Sequence, residues 1–129
     1  MKIQSYRDLK VWQQSMDFVV ACYKVTKGFP SCEIYCLTSQ LRRAAISVPA
    51  NIAEGRGRRQ TKEFLRYLSI AYGSLMELET HIELSMRLGY LDQSLYSQLL
   101  ERTANIGRMI NGLGNSLRSK TLTQLGPES

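Results

Sequence analysis

Apolar residues recur along the chain at alternating spacings of three and four, the period that lines one side of an α-helix. Leu9, Trp12, Met16, Val19 and Tyr23 form the first such stripe, which Gly28, Phe29 and Pro30 interrupt. A first helix ending near Gly28 is therefore predicted. Leu37, Leu41, Ala45, Val48 and Ile52 form the inward face of a second helix, expected from Ser31 or Cys32 to Glu54 with Gly55 as its stop. A loop from Gly55 to Gln60 leads to Thr61, read as the N-cap of the longest helix, which carries Phe64 to Leu88. Its inner stripe is Phe64, Leu68, Ala71, Leu75, Leu78 and Ile82, and Gly89 ends it.

Asp92 can cap a fourth helix with Leu95, Leu99, Ile106, Leu113 and Leu117 spaced for burial. Gly107, Gly112 and Gly114 weaken its second half by propensity, so packing must hold that half. Ser119 to Ser129 lack periodicity and read as a flexible tail, which leaves residues 1–118 as one domain. No strand pattern of comparable length competes. Four amphipathic helices joined by short connections predict an all-α, antiparallel up-down four-helix bundle.

The composition agrees with a single domain. The 129 residues are 43% hydrophobic and 22% charged, an ordinary globular mixture able to bury one core. No apolar run approaches the roughly 20 residues that cross a bilayer, and the opening MKIQSYRDLK lacks the apolar stretch of a signal peptide. The expectation is a cytoplasmic protein with no membrane association. Three cysteines, Cys22, Cys32 and Cys36, are an odd number in a chain without an export signal, and read as reduced, mostly buried packing residues.

Charge changes the picture more than composition does. The chain carries +6 overall, and Arg42, Arg43, Arg56, Arg58, Arg59, Lys62 and Arg66 face only Glu54 and Glu63 between Arg42 and Arg66, a local balance of +5. Such a segment attracts polyanions through counterion release and steering; a solvated, solubilising face is the plainer reading. The stretch Gly55 to Gln60 joins the N-terminus of the third helix, where unpaired N–H groups favour anions. Tyr67 and Tyr72 are candidate stacking side chains nearby, although aromatic residues in helices usually face the core.

Enzyme chemistry finds little support. His81, the only histidine, sits one turn after Glu77, but a di-iron bundle needs two Glu-x-x-His pairs and two further glutamates. No Cys or His pair completes a zinc set with Cys32 and Cys36. A nucleophile elbow and a phosphate-binding loop are also missing. No catalytic residue, metal ligand or cofactor is therefore assigned.

Pro49 lies within the second helix, where it removes a backbone donor and frees the carbonyl of Ala45, so a distortion is expected there. A polar stripe runs beside the apolar one through Gln40, Arg43, Ser47, Asn51, Glu54 and Arg58. Gln40, Ser47, Asn51 and Glu54 are read as a structural network or a subunit contact, because Asn51 sits close to the core edge and must find hydrogen-bond partners.

The run from Leu37 to Ser47 (LTSQLRRAAIS), Asn51 to Gly55 (NIAEG), Glu63 to Leu65, and Ile70 to Leu78 (IAYGSLMEL) resembles the 23S rRNA-intervening-sequence protein family. Asp8 to Trp12 and Leu88 to Leu91 extend the resemblance over nearly the whole chain, with its specific part in the second and third helices. The resemblance implies a four-helix bundle assembled into a ring, commonly a homopentamer. It also extends to the accessory variability proteins of diversity-generating retroelements, which bind a reverse transcriptase and nucleic acid through a basic surface. Two function classes stay open: a nucleic-acid-binding oligomer or adaptor for a nucleic-acid enzyme, using the seven basic residues named above, and a structural or regulatory protein–protein module.

Overall fold

A computed structural model describes residues 5–125. Helix α1 spans Lys10–Thr26, α2 Leu37–Gly57, α3 Thr61–Arg87 and α4 Gln93–Leu125, with no strand among the described residues. Each helix packs antiparallel on the next, the α2/α3 interface is the most extensive, and α4 returns to close loosely on α1. This is the predicted four-helix bundle.

The stripes predicted for α2 and α3 are the buried ones. Leu37, Leu41, Ala45, Val48 and Ile52 face Phe64, Leu68, Ala71, Leu75, Leu78 and Ile82 across one continuous core. Ile52, Leu75, Leu78 and Ile82 are at most 1% exposed. Burying each such side chain contributes roughly 1.5–3 kcal/mol, an upper estimate because the unfolded chain is itself partly compact. Pro49 is buried inside α2 without ending it.

On α1 the predicted stripe is displaced. The buried residues are Val11, Ser15, Phe18, Cys22 and Thr26, joined by Leu9, while Met16 and Tyr23 are exposed and Trp12 and Val19 only flank the core. Ser15 and Thr26 explain the difference, since small hydroxyl side chains occupy buried positions that apolar periodicity does not register. Thr26 meets the cost of burial by donating to the carbonyl of Cys22 at 2.7 Å.

The second helix also starts later than predicted. Ser31–Glu33 form a 3-10 turn, and α2 begins at Leu37 because the Glu33 carboxylate accepts from the Leu37 N–H at 3.3 Å. The second oxygen of Glu33 accepts from the Tyr90 hydroxyl at 2.8 Å, tying the α1–α2 connection to the end of α3. Within this turn Cys32 and Cys36 are exposed rather than packed, and Cys22 alone is buried.

Helix α3 stops as expected. Gly89 adopts φ +84°, with Tyr90 N–H bonded to the Ser85 carbonyl and Gly89 N–H to that of Met86, the paired bonds of a Schellman motif. Asp92 then caps α4 by accepting from the Leu95 N–H at 2.8 Å. At 33 residues α4, not the 27-residue α3, is the longest helix. Gly107 is buried facing Leu75 and Tyr72, so tertiary contact offsets its poor helix propensity. Leu99, Ile106 and Ile110 are buried, while Leu95, Leu113 and Leu117 pack at the core margin. The helix continues past Arg118 to Leu125; the remainder of the expected tail lies outside the described residues.

Candidate nucleic-acid interface

The first half of the stretch from Gly55 to Gln60 is helical, and the loop expected there shrinks to Arg58, Arg59 and Gln60. Gly55 is buried inside α2, which continues to Gly57 and has Arg58 as its C-cap. Arg59 makes the turn with φ 62°, a left-handed conformation uncommon for a residue bearing Cβ. Gln60, not Thr61, is the N-cap of α3, and its side chain makes no capping bond. First-turn N–H groups of α3 thus open beside the exposed Arg59 and Lys62.

Tyr67 organises this end. It is 8% exposed, so it belongs to the core and is no platform for stacking bases. The Arg66 guanidinium lies 4.9 Å from its ring centroid and that of Arg58 5.2 Å. Arg58 also donates to the Tyr67 hydroxyl at 2.8 Å and to Glu54 at 3.1 Å. The bond to Glu54, with Tyr67 beside it, raises the Arg58 pKa further above its usual value. Arg66 pairs with Glu63 at 3.3 Å. Arg56 is half-buried and has an interaction of its own. Arg59 and Lys62 have no carboxylate partner among the described residues. Tyr72, the other candidate stacking residue, is half-buried against the core.

The remaining polar stripe divides. Ser47 and Ser74 share a hydrogen bond at 2.7 Å between α2 and α3, and the Asn51 amide donates to the Ser47 carbonyl and hydroxyl at 2.8 and 2.9 Å. Glu54 belongs to the Tyr67 cluster, and Gln40 is exposed one end away.

Arg42 and Arg43 are separated from the other basic residues. Arg56 comes thirteen positions after Arg43 on α2, about 20 Å at the helical rise. Arg42 donates to the Thr26 hydroxyl at 2.8 Å and lies 4.5 Å from the Tyr23 ring centroid, on the α1 side.

The antiparallel order produces a larger grouping that the linear sequence hides. The N-terminal halves of α1 and α3 and the C-terminal halves of α2 and α4 share one end. With the Ser47–Ser74 contact as the midpoint, that half holds Arg7, Lys10, Arg56, Arg58, Arg59, Lys62, Arg66, Arg108, Arg118 and Lys120 against Asp8, Asp17, Glu54 and Glu63. Its balance equals the +6 of the whole chain. In the other half Lys24, Lys27, Arg42, Arg43, Arg87 and Arg102 are matched by Glu33, Glu77, Glu79, Glu83, Asp92 and Glu101. The bundle is therefore a charge-polarised rod.

Other chemistry is sparse among the described residues. No group of three or more His, Cys, Asp or Glu side chains could hold a metal ion. His81 lies 3.5 Å from Glu77, and its buried Nε2 has no hydrogen-bond partner. No helix of the described residues is long and apolar enough to cross a membrane.

Among curated proteins none matches the chain. A crystal structure from Bacteroides thetaiotaomicron, described as a protein of unknown function from the S23 ribosomal protein family, is similar with a TM-score of 0.76 and 23% identity. The match covers 81% of this chain and 95% of that one, so the two share the fold. The model of the 23S rRNA-intervening sequence protein family matches residues 7–112, and the chain belongs to that family.

Proposed function

We propose that this is a non-enzymatic, cytoplasmic assembly protein that binds nucleic acid through its basic end, as an adaptor for a nucleic-acid enzyme such as a reverse transcriptase. The observation that carries the reading is the confinement of the net +6 to one half of the bundle. Phosphate contacts dominate nucleic-acid affinity, and a concentrated cationic surface supplies them without reading sequence. Arg59 and Lys62 are the foremost contacts, being exposed and without a carboxylate partner among the described residues. Arg58 and Arg66, held against Tyr67, contribute a fixed cationic surface behind them. Arg56 extends it along α2. A ring of copies, commonly five in proteins that this chain resembles, would repeat the basic end and add avidity.

The test is binding of RNA and single-stranded DNA across salt concentrations. Affinity falls steeply with salt for the parent, and replacing Arg56, Arg58, Arg59 and Lys62 with Gln removes most of it. Equal binding by that variant, or no binding by the parent at low salt, would leave the protein–protein module as the better reading. Because Arg58 is built into the Tyr67 cluster, the milder double variant Arg59→Gln with Lys62→Gln separates lost charge from lost structure.

A further inference from the structure

A glycine that weakens α4 lies beside an opening in the basic half of the bundle. Gly114 is buried, yet the nearest neighbour of a Cβ placed there would be the Arg118 guanidinium, 3.4 Å away. Here α3 and α4 part to form a crevice of about 120 Å³. Leu65, Leu68 and Ile110 give it apolar walls. The half-buried ring of Tyr72, packed against Gly107, lines it as well.

The polar groups of the crevice are uncommitted. Ser69 and Asn111 are exposed, and neither the Ser69 hydroxyl nor the Asn111 amide has a hydrogen-bond partner among the described residues. Arg118 donates to Asn115 Oδ1 at 3.1 Å, which positions its guanidinium, but it pairs with no carboxylate among the described residues. On α3, Lys62, Leu65, Ser69 and Tyr72 follow one stripe at spacings of three and four, so the α3 wall runs back from the exposed Lys62. An apolar slot with a free hydroxyl and amide, flanked by a cation on each helix, suits a flat, polar-edged ring carried on an anionic backbone.

We propose that this crevice seats one pyrimidine base of a single-stranded nucleic acid, with the neighbouring phosphates on Lys62 and Arg118. The inference rests on the nucleic-acid reading given above and adds a base contact to its phosphate contacts. Size decides for a single ring. A cavity of roughly 150 Å³ holds benzene, so the crevice takes a six-membered ring and leaves the second ring of a purine outside. The Asn111 amide offers a donor and an acceptor and the Ser69 hydroxyl either, which matches the alternating carbonyl and N–H edge of thymine or uracil. In a duplex that edge is occupied by the complementary base, so an unpaired strand is the form that fits. The helix propensity that α4 gives up at Gly114 keeps the slot open.

The test uses the full-length chain and three twelve-residue DNA strands with equal numbers of phosphates: one wholly abasic, one with a single central thymine, one with a single central adenine. At fixed low salt the thymine strand should bind at least about fivefold tighter than the abasic one, and the adenine strand about twofold tighter or less. Gly114→Leu fills the slot from α4 and Ser69→Leu from α3, with circular dichroism to verify folding. Each should bring the thymine-to-abasic ratio close to one, whereas Gly112→Ala, on the same helix with nothing within 4 Å of its Cβ, should keep the parent's ratio. Equal binding of the thymine and abasic strands by the parent overturns the base site and leaves phosphate binding standing. No binding of any strand at low salt overturns both. An adenine strand bound as tightly as the thymine strand, a folded Gly114→Leu or Ser69→Leu variant that keeps the thymine gain, or loss of that gain in Gly112→Ala each overturns the proposal.

Discussion

Gly55 and Tyr67 approach so closely across the α2/α3 interface that a Cβ on Gly55 would lie 2.6 Å from the Tyr67 Cβ and 3.1 Å from Phe64 Cδ1. The glycine, which in sequence looks like a helix stop, is instead the contact that lets the basic ends of α2 and α3 close on each other. Gly55→Ala gains helix propensity but forces two backbones apart. Overpacking of this kind costs roughly 1–3 kcal/mol, more than the ~1 kcal/mol of propensity gained. Urea denaturation should show net destabilisation; a variant as stable as the parent would mean that α2 and α3 separate freely here.

Arg59 supplies a charge and also a turn. Its φ of 62° costs a residue with Cβ roughly 1–2 kcal/mol, which glycine avoids while losing about 0.5–1 kcal/mol in chain entropy. Arg59→Gly should therefore leave stability unchanged or raise it by up to about 1 kcal/mol, yet weaken polyanion binding at low salt. Arg59→Val, β-branched at the same φ, should destabilise in thermal melts. If the glycine variant melted well below the parent, the turn would depend on the arginine side chain.

At the other end of the molecule hydroxyl groups clamp carboxylates. Tyr96 donates to Glu83, which also accepts from Arg87 at 2.8 Å, and Thr103 donates to Glu79 at 2.7 Å. The Tyr96 hydrogen bond, with that of Arg87, holds the Glu83 carboxyl below its ordinary value of 4.5. A depressed carboxylate stabilises the fold above its unfolded-state pKa, and this contribution is lost as pH falls through the folded value. Tyr96→Phe should lower stability at neutral pH, and its deficit should shrink on acidification through the carboxylate range. A deficit independent of pH would assign the effect to packing.

The cysteines should separate by reactivity. Burial pushes the Cys22 thiol up to about 12, whereas Cys32 and Cys36 are exposed. Near pH 8, alkylation of the native protein should modify Cys32 and Cys36 quickly and leave Cys22 until denaturant is added. Mass spectrometry of the digested protein reads this site by site; rapid labelling of native Cys22 would show that α1 opens readily from the bundle.

What the sequence determined by itself is the set of helices and two of their faces. On α2 and α3 the buried positions are apolar almost throughout, so their spacing of three and four points to the core without further information. Gly89 and Asp92 also announce their local roles, because a left-handed turn and a helix cap are decided within a few residues. On α1 that logic fails: Ser15 and Thr26 are buried while Met16, Val20 and Tyr23 face outward, and only the neighbouring helices decide which stripe is covered. The same is true of Gly55, whose role depends on how closely Tyr67 approaches across α3, and of Arg59, which makes the turn usually left to glycine. The basic run was visible as a run, but the length of α2 sets Arg42 and Arg43 apart from it, and antiparallel packing brings Arg7, Lys10, Arg118 and Lys120 to its end. Charge acts through space, so the polarity of the bundle exists only once chain-distant helix ends are brought together.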